Sequence, residues 1–256
     1  MDIRDINRRA WDRQVEGGNM WTIPVSPEVI AEARQGRFQI LLTENIPVPA
    51  YWFSPLPGLA VLCLACGGGQ QGPVLAAAGA RVTVYDNSPR QLEQDRFVAE
   101  REGLELRTVE GDMRDLSIFS DNSFDFIFHP VSNCFIPDVL PVWREAFRVL
   151  RPGGTMLAGM NNPIIYVFAY PESEHGILEA RHPLPYSDPD VLTPEEQQQY
   201  IEEGSPFEFS HTLTTLIGGQ LEAGFVLTGF YEDHHRDHAL SKYSATYLAT
   251  RALKPA

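Results

Sequence analysis

The sequence predicts an α/β fold, a mostly parallel sheet with helices on both faces. Three observations carry that reading. Short apolar runs at residues 61–66, 81–85, 123–128 and 155–159 are each bounded by turn signals. Stretches with helical periodicity separate them, the order expected of strands that must cross over to pair in parallel. A glycine-rich turn, Gly67, Gly68, Gly69 and Gly72, follows the first run directly, where a buried strand must bend sharply into a helix.

Each element has a mechanical reason to be where it is. At the glycine turn a ligand can approach the backbone N–H groups, because no side chains stand in the way. Pro73 suits the first position of the following helix, and Gly79 its far end. The second strand then ends at Asp86, whose carboxylate can accept from both hydroxyls of a ribose. Gly67, Gly69 and Gly72 spell G-x-G-x-x-G ahead of that acid. Two cofactors fit: a dinucleotide, or S-adenosylmethionine, which needs the same turn and acid but brings no pyrophosphate.

A third strand at residues 104–109 runs into Glu110-Gly111-Asp112-Met113, a polar turn from which Asp112 can reach an exocyclic amine. After the turn signal Asp121-Asn122 a buried fourth strand ends at His129-Pro130-Val131-Ser132-Asn133. Val139, Val142, Trp143, Ala146, Phe147 and Leu150 fall at helical spacing, and Arg151-Pro152-Gly153-Gly154 stops that helix before the strand at 155–159. Two further strands are expected at residues 225–230 and 244–250.

At this point the chain resembles a class I S-adenosylmethionine-dependent methyltransferase of the broad small-molecule type called type 11. The matching pieces are V-L-C-L-A-C-G-G-G from Val61, V-T-V-Y-D-N-S from Val82, G-D-M from Gly111, F-D-F-I-F from Phe124 and R-V-L-R-P-G-G from Arg148. They cover about residues 59–160 in the family's order. The flanks, with Trp11, residues 18–24 and residues 218–225, look like an uncharacterised bacterial branch, which names neither a substrate nor an oligomeric state.

The resemblance implies a Rossmann-like, seven-stranded, mostly parallel sheet whose last strand inserts antiparallel. It implies S-adenosyl-L-methionine as cofactor, with Gly67 and Gly69 beside its methionine part and Cys66 and Gly68 also in the cofactor site. Asp86 would bind the ribose, Asn87 would lie beside the adenine, Asp112 would accept from the adenine amine, and Met113 would flank the ring. There is one departure. The family's first motif is usually acidic at the third position and glycine at the fifth, where this chain has Cys63 and Ala65. Weaker binding, or a replacement from elsewhere, is therefore expected for the cofactor's amino group.

Composition narrows the partners. The chain has 256 residues, 20 Lys plus Arg against 34 acids, and a formal charge of −14, which works against binding a phosphate backbone. No apolar stretch approaches the ~20 residues of a membrane span, and the N-terminus lacks an apolar signal region. A cytoplasmic enzyme is expected, with no nucleic-acid or membrane partner. Cys63 and Cys66 form a C-x-x-C, but within a buried strand and turn they read as small core residues, and Cys134 reads as pocket wall or core. The run Glu232-Asp233-His234-His235-Arg236-Asp237-His238 reads as a solvated loop, so no metal is expected.

One methyltransferase domain is expected across residues 1–256. It comprises an N-terminal helical and aromatic cap (1–57), a cofactor-binding half (58–161), an insertion or lid (162–210), and a C-terminal helix with strands (211–256). Trp11, Trp21, Tyr51 and Trp52 lie in the cap, and Ile164, Ile165, Tyr166, Phe168 and Tyr170 in the insertion. Thr193, Pro194 and Glu196 mark a capped helix start there. The expected reaction is methyl transfer to an O, N or C nucleophile of a small molecule. The acceptor-side candidates are His129, Ser132 and Asn133, with His129 as a base that also touches the cofactor, and His211 is a further histidine placed for chemistry. Two rivals stand beside this reading: an NAD(P)-dependent oxidoreductase, and a non-catalytic cofactor-binding regulator.

Overall fold

β1 (Ala60–Leu64), β2 (Arg81–Asp86), β3 (Leu106–Glu110), β4 (Phe124–His129) and β5 (Leu150–Asn161) pair in parallel. β6 (Val226–Asp233) and β7 (Tyr247–Leu253) complete the sheet in the order β3-β2-β1-β4-β5-β7-β6, with β7 antiparallel to both neighbours. This is a computed structural model that describes residues 1–169, 172–173 and 175–256. Tyr170, grouped above with the lid aromatics, lies outside those residues.

The central strands are apolar on both faces, which explains why they read as runs and not as alternations. Val61 and Cys63 of β1, with Phe126 and Phe128 of β4, pack beneath α2 (Pro27–Ala33), α3 (Gln71–Ala77) and α4 (Pro89–Glu102). Leu62, Leu64 and Ile127 face the other way, onto Val142, Trp143 and Ala146 of α5 (Leu140–Val149). Each fully buried aromatic or aliphatic side chain contributes ~1.5–3 kcal/mol, so the strand ends are held rigidly from both sides. Ser88 caps α4 by accepting from Gln91 N, and Gly103 ends it in the left-handed region.

Several boundaries differ from the sequence reading, three of them around the glycine turn and the start of β5. β1 stops at Leu64 because Ala65 takes a positive φ of 47° and begins the turn. α3 starts at Gln71, so Pro73 is its third residue; the first turn needs no N–H there either. Arg151–Gly154 does not separate helix from strand but bulges out of β5. Leu150 pairs with Phe124 and Thr155 with Phe126, while Gly153 N donates to Lys254 O at 2.8 Å.

Where the strand order reverses, between β1 and β4, a crevice opens at the carboxyl ends. α1 (Ile3–Glu16) lies across it, and Pro206 and Glu208, which follow α6 (Asp188–Val191) and α7 (Pro194–Glu203), wall it from the other side. Buried Asn7 sews the two together: its side chain donates to Phe135 O and Phe207 O, both at 2.9 Å, and accepts from Phe207 N at 2.8 Å. α7 starts with the expected capping box of Thr193 and Glu196. Asp233, expected in a solvated loop, is instead buried at the end of β6. It accepts from Thr43 Oγ1, Asn45 N and Ile46 N, pinning the segment that precedes β1 to the far side of the sheet. No helix among the described residues is long and apolar enough to cross a membrane.

Candidate functional site

The crevice holds a cavity of about 490 Å³ that spans both halves of the sheet edge. Its β1–β2–β3 side is walled by Ala65, Cys66, Gly67, Asp86, Asn87, Asp112, Met113 and Arg114. Asp86 is preset: its Oδ2 accepts from Gly67 N and its Oδ1 from Ser88 N, both at 2.9 Å. Burial pushes its carboxyl up, and these N–H donors hold against that rise. Asn87 is tied to the covering helix, exchanging hydrogen bonds with Arg4 Nε and Arg4 O. Asp112 is gripped by Arg114 Nε and Nη2. Burial alone would raise its carboxyl, but this pairing outweighs burial and leaves it below its ordinary value. A ligand amine there shares the carboxylate with that guanidinium.

Gly68 and Gly69 do not line the cavity, contrary to the sequence reading. Their missing side chains make room for the N-terminal segment: a Cβ on Gly68 would stand 2.7 Å from Trp21 O, and one on Gly69 3.1 Å from Pro24 Cβ. Both have positive φ. The turn is then locked by Val25 N donating to Gly69 O and by Gln70 Nε2 donating to Met20 O and Ile23 O.

The N–H groups of Gly67 and Gly68 are committed within the protein. Gly67 N donates to Asp86, and Gly68 N to Asp95 Oδ2 at 3.0 Å and to Gln91 O at 3.1 Å. A pyrophosphate would find those donors taken and two carboxylates behind them. Asp95 was missed by the sequence reading. It is fully buried, its Oδ1 and Gln91 Oε1 have no hydrogen-bond partner among the described residues, and burial pushes its carboxyl up to about 8. The available signal was an acid on the apolar stripe of α4, among Leu92, Val98 and Ala99.

The β4–β5–β7 side is walled by Val131, Ser132, Cys134, Asn161, Glu208 and Tyr247, with Leu41 to Glu44 arching over. His129 is not on that wall. It is fully buried, its Nδ1 is 2.9 Å from Leu64 O, and its ring meets Trp143 edge-on. Burial pulls its pKa down to about 4. The expected base is therefore a floor residue, because the last residue of β4 points into the core side and not over the edge. Asn133 is likewise 1% exposed and spent on Gly159 O. His211 holds Asn133 O through Nε2. Of the acceptor-side candidates only Ser132 reaches the cavity, its Oγ donating to Pro130 O and lying 3.4 Å from His129 Nδ1.

Cys63 is sealed in the core, so nothing replaces the missing acid at its position. The carboxylates that reach the other half of the cavity come from distant segments: Glu44 and Glu208. Cys66 and Cys134 are free and lie on the wall, their thiols pushed up by burial. In the histidine run, His235 Nδ1 accepts from Asp237 N and His238 Nδ1 from Leu240 N, while His235 Nε2 stands 3.9 Å from Glu44 Oε2.

Comparison with known proteins agrees with this geometry. A family model described as a methyltransferase domain matches residues 62–158. The chain is similar to the uncharacterized methyltransferase YbaJ of Bacillus subtilis, with 51% identity over 248 residues and 97% of each chain covered. It is also 31% identical over 172 residues, 66% of each chain, to the ubiquinone biosynthesis O-methyltransferase of Methylocella silvestris. Among solved structures, an S-adenosylmethionine-dependent methyltransferase from Mesorhizobium loti superposes with a TM-score of 0.61 at 18% identity, covering 79% of this chain and 94% of that one.

Proposed function

Since the chain belongs to the S-adenosylmethionine-dependent methyltransferases, we propose that it methylates an O, N or C nucleophile of a small molecule seated at the β4–β5–β7 side of the cavity. The observation that carries the reading is the disposition of Asp86 and the glycine turn. Asp86 faces the cavity as an acceptor for ribose hydroxyls, while the N–H groups that a phosphate would require are consumed by Asp86 and Asp95. This donor set suits a nucleoside without phosphates, and it argues against the NAD(P) alternative.

When bound, the cofactor supplies an electrophilic methyl on a positive sulfonium. The chain's residues do the rest. Asp86, Asn87, Asp112 and Met113 would hold the adenosine, and Ala65, Cys66 and Gly67 would leave room beside it. The covering segments from α1 and residues 206–208 exclude water and align the acceptor, and both contribute to the rate of such a transfer. The size of the cavity and its apolar patches, Leu41, Val131 and Phe135, favour a small organic acceptor. The ubiquinone-pathway relative, by its name, is an O-methyltransferase.

Calorimetry separates the readings. S-adenosylhomocysteine is expected to bind with one site per chain, and NAD to give no heat. Binding of NAD in preference to S-adenosylhomocysteine would overturn the assignment of the cofactor side.

A further inference from the structure

The acceptor half of the cavity has a one-sided charge. Glu208 and Glu44 reach it, together with the neutral groups Ser132, Asn161 and Tyr247, and no Lys or Arg among the described residues lines that half; Arg4 and Arg114 stand at the opposite end, committed to Asn87 and Asp112. The two carboxylates differ in one respect. Glu44 is already met by Arg236 at 3.5 Å, His235 at 3.9 Å and Tyr247 Oη at 3.4 Å. Among the described residues Glu208 has no cationic partner.

Its carboxylate is nonetheless held in one orientation. Tyr166 Oη donates to Oε2 at 2.6 Å and accepts from Asn161 Nδ2 at 2.8 Å, and the Tyr166 ring stacks on Tyr186. Behind it, Asp188 Oδ2 accepts from Glu208 N at 2.6 Å, and Tyr186 Oη donates to Asp188 Oδ1 at 2.6 Å. Four residues thus position one carboxylate at the cavity wall and leave Oε1 without a hydrogen-bond donor among the described residues. A structural carboxylate in a wall would be expected to carry a cation of its own, since an unpaired charge is costly to bury.

Given the methyl-transfer reading above, on which this rests, we propose that the acceptor is a small amine and that Glu208 binds its ammonium and takes one proton from it. The step balances. An ammonium has no lone pair to attack with; transfer of one N–H proton to Glu208 leaves a neutral amine and a neutral carboxylic acid. The nitrogen lone pair then forms the new C–N bond as the C–S bond breaks, its electron pair staying on sulfur, and the positive charge passes from the sulfonium to the methylated nitrogen. The proton on Glu208 leaves to solvent with the product. Burial favours the neutral pair over the ionic one, lowering the ammonium and raising the acid toward each other. Burial foremost, with Asp188 adding to it against the Tyr166 hydrogen bond, pushes Glu208 up to about 7, where it can both accept and release a proton near neutrality.

The test uses size-matched probes, 2-phenylethylamine and 3-phenylpropionate, titrated by calorimetry into the full-length protein saturated with S-adenosylhomocysteine. The amine is expected to bind at least tenfold tighter than the carboxylate. Glu208→Gln, which keeps the acceptor for Tyr166, should weaken the amine tenfold or more and leave S-adenosylhomocysteine affinity within twofold, which also certifies the variant as folded. If Glu208→Gln loses S-adenosylhomocysteine as well, Glu208→Asp takes its place and should retain amine binding better than Glu208→Asn. No measurable amine binding, equal or tighter binding of 3-phenylpropionate, or amine affinity indifferent to residue 208 overturns the proposal while leaving the cofactor reading standing. Failure of the parent protein to bind S-adenosylhomocysteine would instead count against the cofactor reading.

Discussion

The two sides of the crevice are built by different means. At the ends of β1, β2 and β3 much of the wall sits within a few residues of a strand: Asp86 closes β2, Asp112 follows β3, and Ala65 to Gly67 follow β1, with Arg4 brought in by α1. At the ends of β4, β5 and β7, Pro130 to Ser132, Asn161 and Tyr247 are local to the sheet, and Cys134 and Phe135 follow β4 closely. The remaining wall is carried in by Leu41 to Glu44 and by residues 206–208, segments fastened through long-range bonds such as Asn7 to Phe207 and Thr43 to Asp233. One side is a property of the sheet and the other of what is packed over it. A common cofactor can then be kept on the first while the acceptor changes on the second.

The comparison breaks most visibly at His129, the one strand-end residue on the acceptor side that faces the core. His129→Ala should cost about 3 kcal/mol of stability, through loss of the bond to Leu64 O and of the packing on Trp143. The folded pKa of about 4 lies below the ordinary 6.5, so the unfolded chain binds a proton first. This contribution is therefore complete above pH 6.5 and is lost as pH falls toward 4, amounting to roughly 3 kcal/mol. Urea unfolding at pH 7 and pH 4.5, in the parent and in His129→Phe, measures it. A parent whose excess pH slope survives in the variant would remove His129 as its source.

Asp86→Ala should do the reverse. It sits where local geometry alone makes the site, so S-adenosylhomocysteine binding should weaken by at least ~1.5 kcal/mol, about tenfold, while the fold holds. Calorimetry beside a melting curve reads both. Unfolding in place of weaker binding would mean that Asp86 supports the glycine turn more than it serves a ligand.

The same contrast explains what could be read in advance. A strand followed by glycines and a strand followed by an acid are patterns spanning a few residues, so the parallel strands and the strand-end place of Asp86 were legible in the sequence, while the antiparallel β7 came from the family resemblance. Gly68 and Gly69 misled because a turn without side chains is equally a place for another backbone to cross, and here residues 21–24 cross it. His129 misled because a strand end has two faces and sequence position does not say which one the side chain takes. Glu208 carried no signal at all, since its importance comes from Tyr166, Asn161 and Asp188 meeting it across the fold.

The smallest effect is expected where the covering segments are joined. Asn7→Ala removes three hydrogen bonds between α1, Phe135 and Phe207, yet α1 and the residues before α8 (Gly219–Glu222) can part there without disturbing the sheet. Water would then reach the freed Phe207 N and the two carbonyls, so the net loss should be about 1 kcal/mol and not the sum of three buried bonds. Hydrogen exchange should rise in residues 3–16 and 205–210 and stay unchanged in β1, β2 and β4. An equal rise in those strands would show that the cover and the sheet unfold as one unit, and the division between a fixed cofactor side and an attached acceptor side would fall with it.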